Sequence, residues 1–429
     1  MEDQRDRCAG AGARVEAAFE AAFGTRKNDF GHKGKEARVR ENGPRRRVRR
    51  GGASYIGAAL DVAISRNPRV LTASGRLYLD HAATTPVLPE ARAAVAAALD
   101  SWANPSSPHA DGRKARAALE AARRAIGEAL GWRHDVILTS GATEAIALAA
   151  TRAKVPGRAY GATEHDAVGA AMGRAKVIPV GPRGHIDIGT LDEVLACDPA
   201  LVAVQHVNNE TGVIQPVAEI VEGVRAAGSL ALVDCAQSAG KLPLPDADFI
   251  AISGHKFGAP PGCGALLVRD IAKLRASGGQ ERGYRRGTEN LPAAAGMAAA
   301  LAGESFSASL PRLSELRRTL DEAVLASGGI VIAATSDRSP FIGAYAIPGV
   351  ASSSQLVQLD LAGISVSAGS ACSSGSMKPS RVLAAMNVAP EVASCAVRVS
   401  FGPSTSHADV ERFIAEWRRI AERAPARAA

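Results

Sequence analysis

The stretch 201-LVAVQHVNNETGVIQPVAEIVEGVRAAGSLALVD-234 decides the fold. Residues 201–207 form a short, valine-rich apolar run, the signature of a buried strand. The segment 217-VAEIVEGVRAAG-228 repeats apolar residues every three or four positions and stops at glycine, as a helix does. The run 230-LALVD-234 is a second strand. Apolar strands separated by a helix indicate a βαβ unit in a largely parallel sheet covered on both faces. The pattern continues in the strands 136-VILTS-140, 248-DFIAIS-253 and 265-ALLVR-269. It also holds in two helices, 111-DGRKARAALEAARRAIGEALG-131, with Asp111 as cap and Gly131 as stop, and 141-GATEAIALAA-150. After about residue 304 the strands 329-GIVIAA-334 and 396-AVRVSF-401 announce a smaller α+β region, and no internal repeat is present.

The chain has 429 residues, room for two or three domains at ~150 residues each. With 46% hydrophobic residues a sizeable core is available. No apolar run approaches the ~18 residues of a membrane span. The start, MEDQRDRCAG, lacks the basic and apolar regions of a secretory signal, so a cytoplasmic protein is expected. The six cysteines form no CxxC pair and no zinc-like cluster, and a disulfide framework is not expected. Residues 1–53 hold 14 Lys/Arg against 8 Asp/Glu and so carry +6 of the net charge of +8. Their run 45-RRRVRR-50 could meet RNA or an acidic partner, but a charge block is more simply a solvated extension. Residues 1–76 are therefore expected to be a disordered, basic extension, and nucleic-acid binding is not the expected function.

Ligands of open α/β sheets bind beyond the carboxyl ends of the strands. The residues there are Gly141-Ala142-Thr143, Asn209, Asp234, Gln237, Ser253, His255 and Lys256. A desolvated lysine near other cations can act as an amine nucleophile. A carboxylate such as Asp234 can hold a ring nitrogen protonated, and Gln237 can donate to a ring oxygen. The turn 140-SGATE-144 offers helix-terminal amides and the Thr143 hydroxyl to an anion, with Ser253 and His255 as further donors. His165, in 163-TEHDAV-168, can stack on a flat ring and shuttle protons. Arg398, if inward-facing, can clamp a carboxylate. Each has a plainer reading when taken alone: a surface lysine, a turn-capping aspartate, a structural histidine, a solvated arginine, or Thr143 as a helix N-cap. Cys372, in 367-SAGSACSSGSMKPS-380, sits among serines and glycines with nothing apolar to pack it, which makes it either incidental or reactive.

Taken together, 78-YLDHAATTP-86, 104-NPSSPHADGRKAR-116, 139-TSGATE-144, 163-TEHDAV-168, 206-HVNNETGVIQP-216, 233-VDCAQSAGK-241, 253-SGHK-256, 280-QERGYRRGTEN-290 and 367-SAGSACSSGS-376 resemble the cysteine desulfurases of the class V aminotransferase group. Their order and spacing are the family's, from about residue 78 to 425. The resemblance implies an α/β protein of PLP-dependent transferase fold type I. Its large domain, residues 91–304, would carry a mostly parallel seven-stranded sheet. Residues 77–90 and 305–429 would form a smaller α+β domain. It implies pyridoxal 5'-phosphate as cofactor, bound covalently by Lys256. Asp234 would pair with the ring nitrogen, His165 stack on the ring, and Gln237 meet the phenolic oxygen. Ala142, Thr143, Ser253 and His255 would contact the phosphate or another part of the cofactor, and Thr288 would reach the phosphate from the other subunit of a homodimer. Asn209 would lie near cofactor and substrate, and Arg398 would hold the carboxylate of L-cysteine. Cys372 would take the sulfur as a persulfide and pass it to an acceptor protein. The SGSACSS pattern resembles the long-loop group, which serves iron–sulfur cluster assembly.

Three residues depart from the family pattern. Cys235 replaces a small non-thiol residue and reads as a buried hydrophobe. Arg286 replaces a small residue, and Ser277 a glycine, in the loop before Thr288. The competing readings are a selenocysteine lyase or another class V enzyme, an RNA-binding protein acting through its tail, and an inactive assembly scaffold.

Overall fold

Valine, leucine and isoleucine dominate the stretches 200–205, 230–234, 249–253 and 264–268, and each is a fully buried strand. The computed structural model describes residues 75–100, 102–368 and 379–423, all within one unit spanning Arg69–Ala429. The basic extension expected over residues 1–76 lies outside these, apart from its last two residues.

Seven strands form the main sheet: β1 (Asp135–Thr139), β2 (Gly157–Gly161), β3 (Lys176–Ile178), β4 (Ala200–Gln205), β5 (Leu230–Asp234), β6 (Phe249–Ser253) and β7 (Gly264–Val268). Their spatial order is β1-β7-β6-β5-β4-β2-β3. The pairs from β6 through β5, β4 and β2 to β3 are parallel, whereas β7 runs antiparallel to both β1 and β6. The sheet is thus mostly parallel, as expected, with one reversed strand. Alternate residues face opposite sides: Val202, Val204, Ala231, Val233, Ile250 and Ile252 join one apolar cluster. Leu201, Ala203, Leu230, Leu232, Phe249 and Ala251 join another. The first face is covered by the helices Ala110–Ala129, Val217–Ala226 and Leu291–Ala302, and the second by Ala142–Arg152 and Asp166–Met172. Burying each large aliphatic side chain stabilises the fold by about 1.5–3 kcal/mol.

Further along the chain, β8 (Ile330–Val331), β9 (Ile342–Ala346) and β11 (Ala396–Ser400) form an antiparallel three-stranded sheet, while β10 (Ile364–Ser365) pairs in parallel with Leu77–Tyr78. The strand expected over 329–334 stops after Val331. Ala333 takes a φ of 57°, which an extended strand cannot include. The helix Ala110–Ala129 is capped by His109, whose Nδ1 accepts from the Gly112 amide at 3.2 Å, and not by Asp111, which lies in its first turn. Gly131 does follow this helix in a left-handed conformation, φ 65°. No helix among the described residues is long and apolar enough to cross a membrane.

Candidate active site

Parallel strands bring their carboxyl ends to one edge of a sheet, and here that edge collects Asp234 at the end of β5 and Ser253 at the end of β6. The turn Gly254–Lys256 follows β6, and residues 140–143 follow β1. Because β7 runs backwards, its first residue, Gly264, arrives at this same edge. A side chain at Gly264 would meet the carbonyl of Ile252 and come within 2.6 Å of Gly141 Cα, so only glycine lets the two turns close together.

The helix Ala142–Arg152 starts from Gly141 with no side-chain cap, so Thr143 lies inside the helix and is not its N-cap. Its first-turn amides have no intrahelical acceptors. The Ser253 hydroxyl faces this helix start, 3.6 Å from where a Gly141 Cβ would stand. Nearby, His255 Nδ1 lies 3.2 Å from Thr84 Oγ1. Burial, then the charges of Lys256 and Lys241, lower His255 to about 4, so its ring is neutral at pH 7. Unfilled amides, a hydroxyl and a neutral imidazole are a donor set suited to a phosphate.

Lys256 Nζ donates to the carbonyls of Ala82 and Ala83 at 2.7 and 2.9 Å. Gln237 Nε2 donates to the same Ala82 carbonyl at 2.9 Å, while its own Oε1 is buried without a partner. Asp234 is buried, and Ala236 N–H occupies its Oδ1 at 2.8 Å. Burial raises the Asp234 carboxyl above its ordinary range against the pull of that amide, His165 and Lys256. A buried carboxylate, an amine and an amide that share one carbonyl, and a buried amide oxygen without a partner suit a flat polar ring. Together with the phosphate-type donors, these residues fit pyridoxal phosphate.

His165 caps the helix Asp166–Met172, its Nδ1 accepting from the Ala167 amide at 3.2 Å, which leaves Nε2 for other work. Arg398 faces inward and is 1% exposed. Its Nη1 donates to the Asn209 carbonyl at 3.0 Å and its Nη2 to Asp80 Oδ1 at 2.8 Å, while its Nε is buried without a partner. Thr288 lines a cavity of about 50 Å³ together with Thr139, Ser140, Gly264 and Arg285.

Cys372 lies outside the described residues, but both flanks of 369–378 are tied to this site. On one side, Ser367 and Arg398 exchange backbone hydrogen bonds. On the other, Ser380 donates to Glu210 Oε2 at 2.5 Å and Arg381 pairs with Asp166, the neighbours of Asn209 and His165.

The sequence reading assigned no individual role to 78–85, yet this segment touches most of the set. Asp80 meets Arg398, Ala82 and Ala83 meet Lys256, Thr84 meets His255, and the Thr85 amide donates to the His255 carbonyl. Glu164 was also missed. It is fully buried, it accepts from the Gln205 amide at 2.7 Å, and Gln205 pairs in register with Asp234. Of the departures, Cys235 is fully buried, and burial pushes its thiol upward, away from nucleophilic use. Arg286 and Ser277 meet each other, Nε donating to the Ser277 carbonyl at 2.9 Å.

The family model for "Aminotransferase class-V" matches residues 77–413. The chain is 37% identical over 368 residues to a cysteine desulfurase of Gluconacetobacter diazotrophicus, covering 79% of this chain and 91% of that protein. It is 38% identical over 369 residues to an IscS-like cysteine desulfurase of Mycobacterium tuberculosis, covering 78% and 93%. Among solved structures, a NifS-like protein from Rickettsia africae superposes with a TM-score of 0.72 at 30% identity, covering 81% of this chain and 99% of that one.

Proposed function

We propose the following roles for a chain that belongs to the class-V aminotransferase family and, within it, to the pyridoxal-phosphate-dependent cysteine desulfurases. The reaction converts L-cysteine and the Cys372 thiol into L-alanine and a Cys372 persulfide. When bound, pyridoxal phosphate supplies a carbonyl to an amine and a ring that spreads negative charge from the substrate's α-carbon.

The chain's residues do the rest. Lys256 Nζ would hold the cofactor through its carbonyl, and the Lys256 amine would take the substrate's α-proton and return it elsewhere on the substrate. Asp234 would hold a proton at the ring nitrogen, and Gln237 would meet the ring oxygen. Ala142, Thr143, Ser253 and His255 hold the phosphate. His165 would meet the cofactor ring and move protons at Nε2, since its Nδ1 is held by the Ala167 amide. Arg398 binds the substrate carboxylate, with Asn209 close by and Asp80 fixing the guanidinium. The Cys372 thiolate attacks the substrate sulfur: a new S–S bond forms, the Cβ–S bond breaks, and the carbon side ends as alanine after protonation.

The observation that carries this reading is geometric. Lys256 and Gln237 donate to one carbonyl, that of Ala82, at the sheet edge where β5 ends in buried Asp234 and β6 in Ser253. The anchoring of both flanks of residues 369–378 to Arg398, Glu210 and Asp166 supports the role of Cys372. We further propose a large cofactor-binding domain over 91–304, a smaller domain from 77–90 and 305–429, and a cytoplasmic homodimer in which Thr288 reaches the partner's phosphate. An iron–sulfur scaffold or a tRNA-thiolation protein would accept the sulfur. The test is to supply the full-length chain with L-cysteine and measure alanine and protein-bound persulfide. Equal amounts of both in the first turnover support the assignment, and alanine without persulfide refutes it.

A further inference from the structure

Lys241 has no part in the roles above, yet it is 2% exposed, as deep as the core around it. The turn that carries it is tightly seated. Gly240 takes φ +69°, and a Cβ there would stand 2.8 Å from Leu301 Cδ2 and 3.8 Å from Phe257 Cβ. Phe257 directly follows Lys256, so the two lysines enter the same region from adjoining turns. The Lys241 ammonium lies over the Phe306 ring, 4.7 Å from its centroid, with Phe341 at 5.9 Å. Those ring faces offset part of the cost of burying the charge. Among the described residues no carboxylate contributes to that offset.

The charged groups around the two amines can be named. Lys241 and Lys256 repel each other, and burial followed by that repulsion brings Lys241 down to about 7. His255 feels both lysines. His81, buried on the Lys241 side, feels Lys241. Asp234 supplies an opposing charge, attracting Lys256 and also His165.

We propose that Lys241 is a positioning residue for the Lys256 amine, a second buried cation that opposes the ammonium form favoured by Asp234. The inference rests on the reading of Lys256 as the cofactor-binding amine. An amine attacks a carbonyl through its lone pair, so a neighbouring cation that disfavours its protonation makes it a better nucleophile near neutral pH. The Phe306 and Phe341 faces hold that cation in place where a carboxylate would cancel it.

The test uses the full-length, cofactor-free chain mixed with pyridoxal phosphate between about pH 6 and 9, a range that spans the titration of a perturbed lysine. The rate of capture is followed by the cofactor's absorbance. Lys241→Met should move the midpoint of the rate–pH profile upward by about one unit, a tenfold loss of capture rate on the acid side. Lys241→Arg, which stays charged where Lys241 begins to lose its proton, should leave the midpoint at or below the wild-type value and never above it. A Met variant whose profile coincides with wild type overturns the proposal, as does an Arg variant shifted upward. If thermal melting shows that the Met variant is unfolded, Lys241→Gln takes its place with the same expectations. Lys256→Ala separates the two levels. If it still captures cofactor with the wild-type absorbance, the Lys256 assignment itself fails. If it is silent while the Lys241 variants match wild type, only the role of Lys241 fails.

Discussion

Lys256 and Gln237 converge on one oxygen: the Ala82 carbonyl accepts from Lys256 Nζ at 2.7 Å and from Gln237 Nε2 at 2.9 Å. One peptide group between Tyr78 and Pro86 therefore holds both the amine and the amide proposed above to meet the cofactor. The shared acceptor fixes the amine at the sheet edge where β5 ends in Asp234.

Replacing Lys256 by alanine removes the amine and leaves the Ala82 and Ala83 carbonyls to other donors. Alanine formation from L-cysteine should fall by about 10²–10⁴-fold, the usual worth of a general base. The absorbance of the bound cofactor should change with it. Thermal melting should stay near wild type, because Lys256 is only partly buried.

Arg398 carries two separable loads. Arg398→Lys keeps a charge but not the fork, so KM for L-cysteine should rise about 10–100-fold, the worth of one or two charge-assisted hydrogen bonds. The effect on kcat should be smaller. Arg398→Ala should in addition lower stability by about 3 kcal/mol, because Asp80 loses its partner. Steady-state kinetics and urea unfolding separate the two.

The loop that leads to Thr288 is pinned by Glu281, a buried carboxylate that takes Arg123 at 2.5 and 3.0 Å and the Leu138 amide at 2.8 Å. Arg123→Ala leaves that charge unpaired and should cost about 3–5 kcal/mol. Glu281→Gln should cost less, since the amide oxygen still accepts from Leu138. Urea midpoints would show the order.

Acid should destabilise the fold through His81. Burial, then the charge of Lys241, pushes His81 down to about 3, so it stays neutral in the folded state when the unfolded histidine titrates at 6.5. Its contribution is fully present above pH 6.5 and is lost as pH falls from there toward 3. At pH 5 the loss is about 2 kcal/mol. Burial raises Glu164 well above its ordinary range, which acts with the opposite sign. Comparing wild type with His81→Gln therefore isolates the effect: the variant should lose less stability between pH 7 and 5.

What the sequence made legible follows from how local each signal is. The apolar runs of β4 to β7 and the 3.6-residue rhythm of 217–228 are local, and the structure keeps them within a residue or two. The direction of β7 is a property of pairing, and nothing in 265-ALLVR-269 reveals that it runs backwards. Asp111 looked like a cap because aspartate commonly is one, but His109, two residues earlier, presents an equally good acceptor. Strand-end residues such as Asp234 and Lys256 were found by topology. Lys241 and Glu164 were not, because their burial is created by elements distant in sequence: Phe306 and Phe341 for one, Gln205 for the other.

The central claim is that sulfur passes from L-cysteine to Cys372. The most direct measurement is a single turnover of the full-length, cofactor-loaded chain with L-cysteine, with mass analysis of the protein and quantitation of alanine, in wild type and Cys372→Ala. Wild type should gain one sulfur on Cys372 for each alanine released, and Cys372→Ala should form neither at a comparable rate. Alanine release by Cys372→Ala at the wild-type rate, or added sulfur on any other cysteine in wild type, would contradict the account.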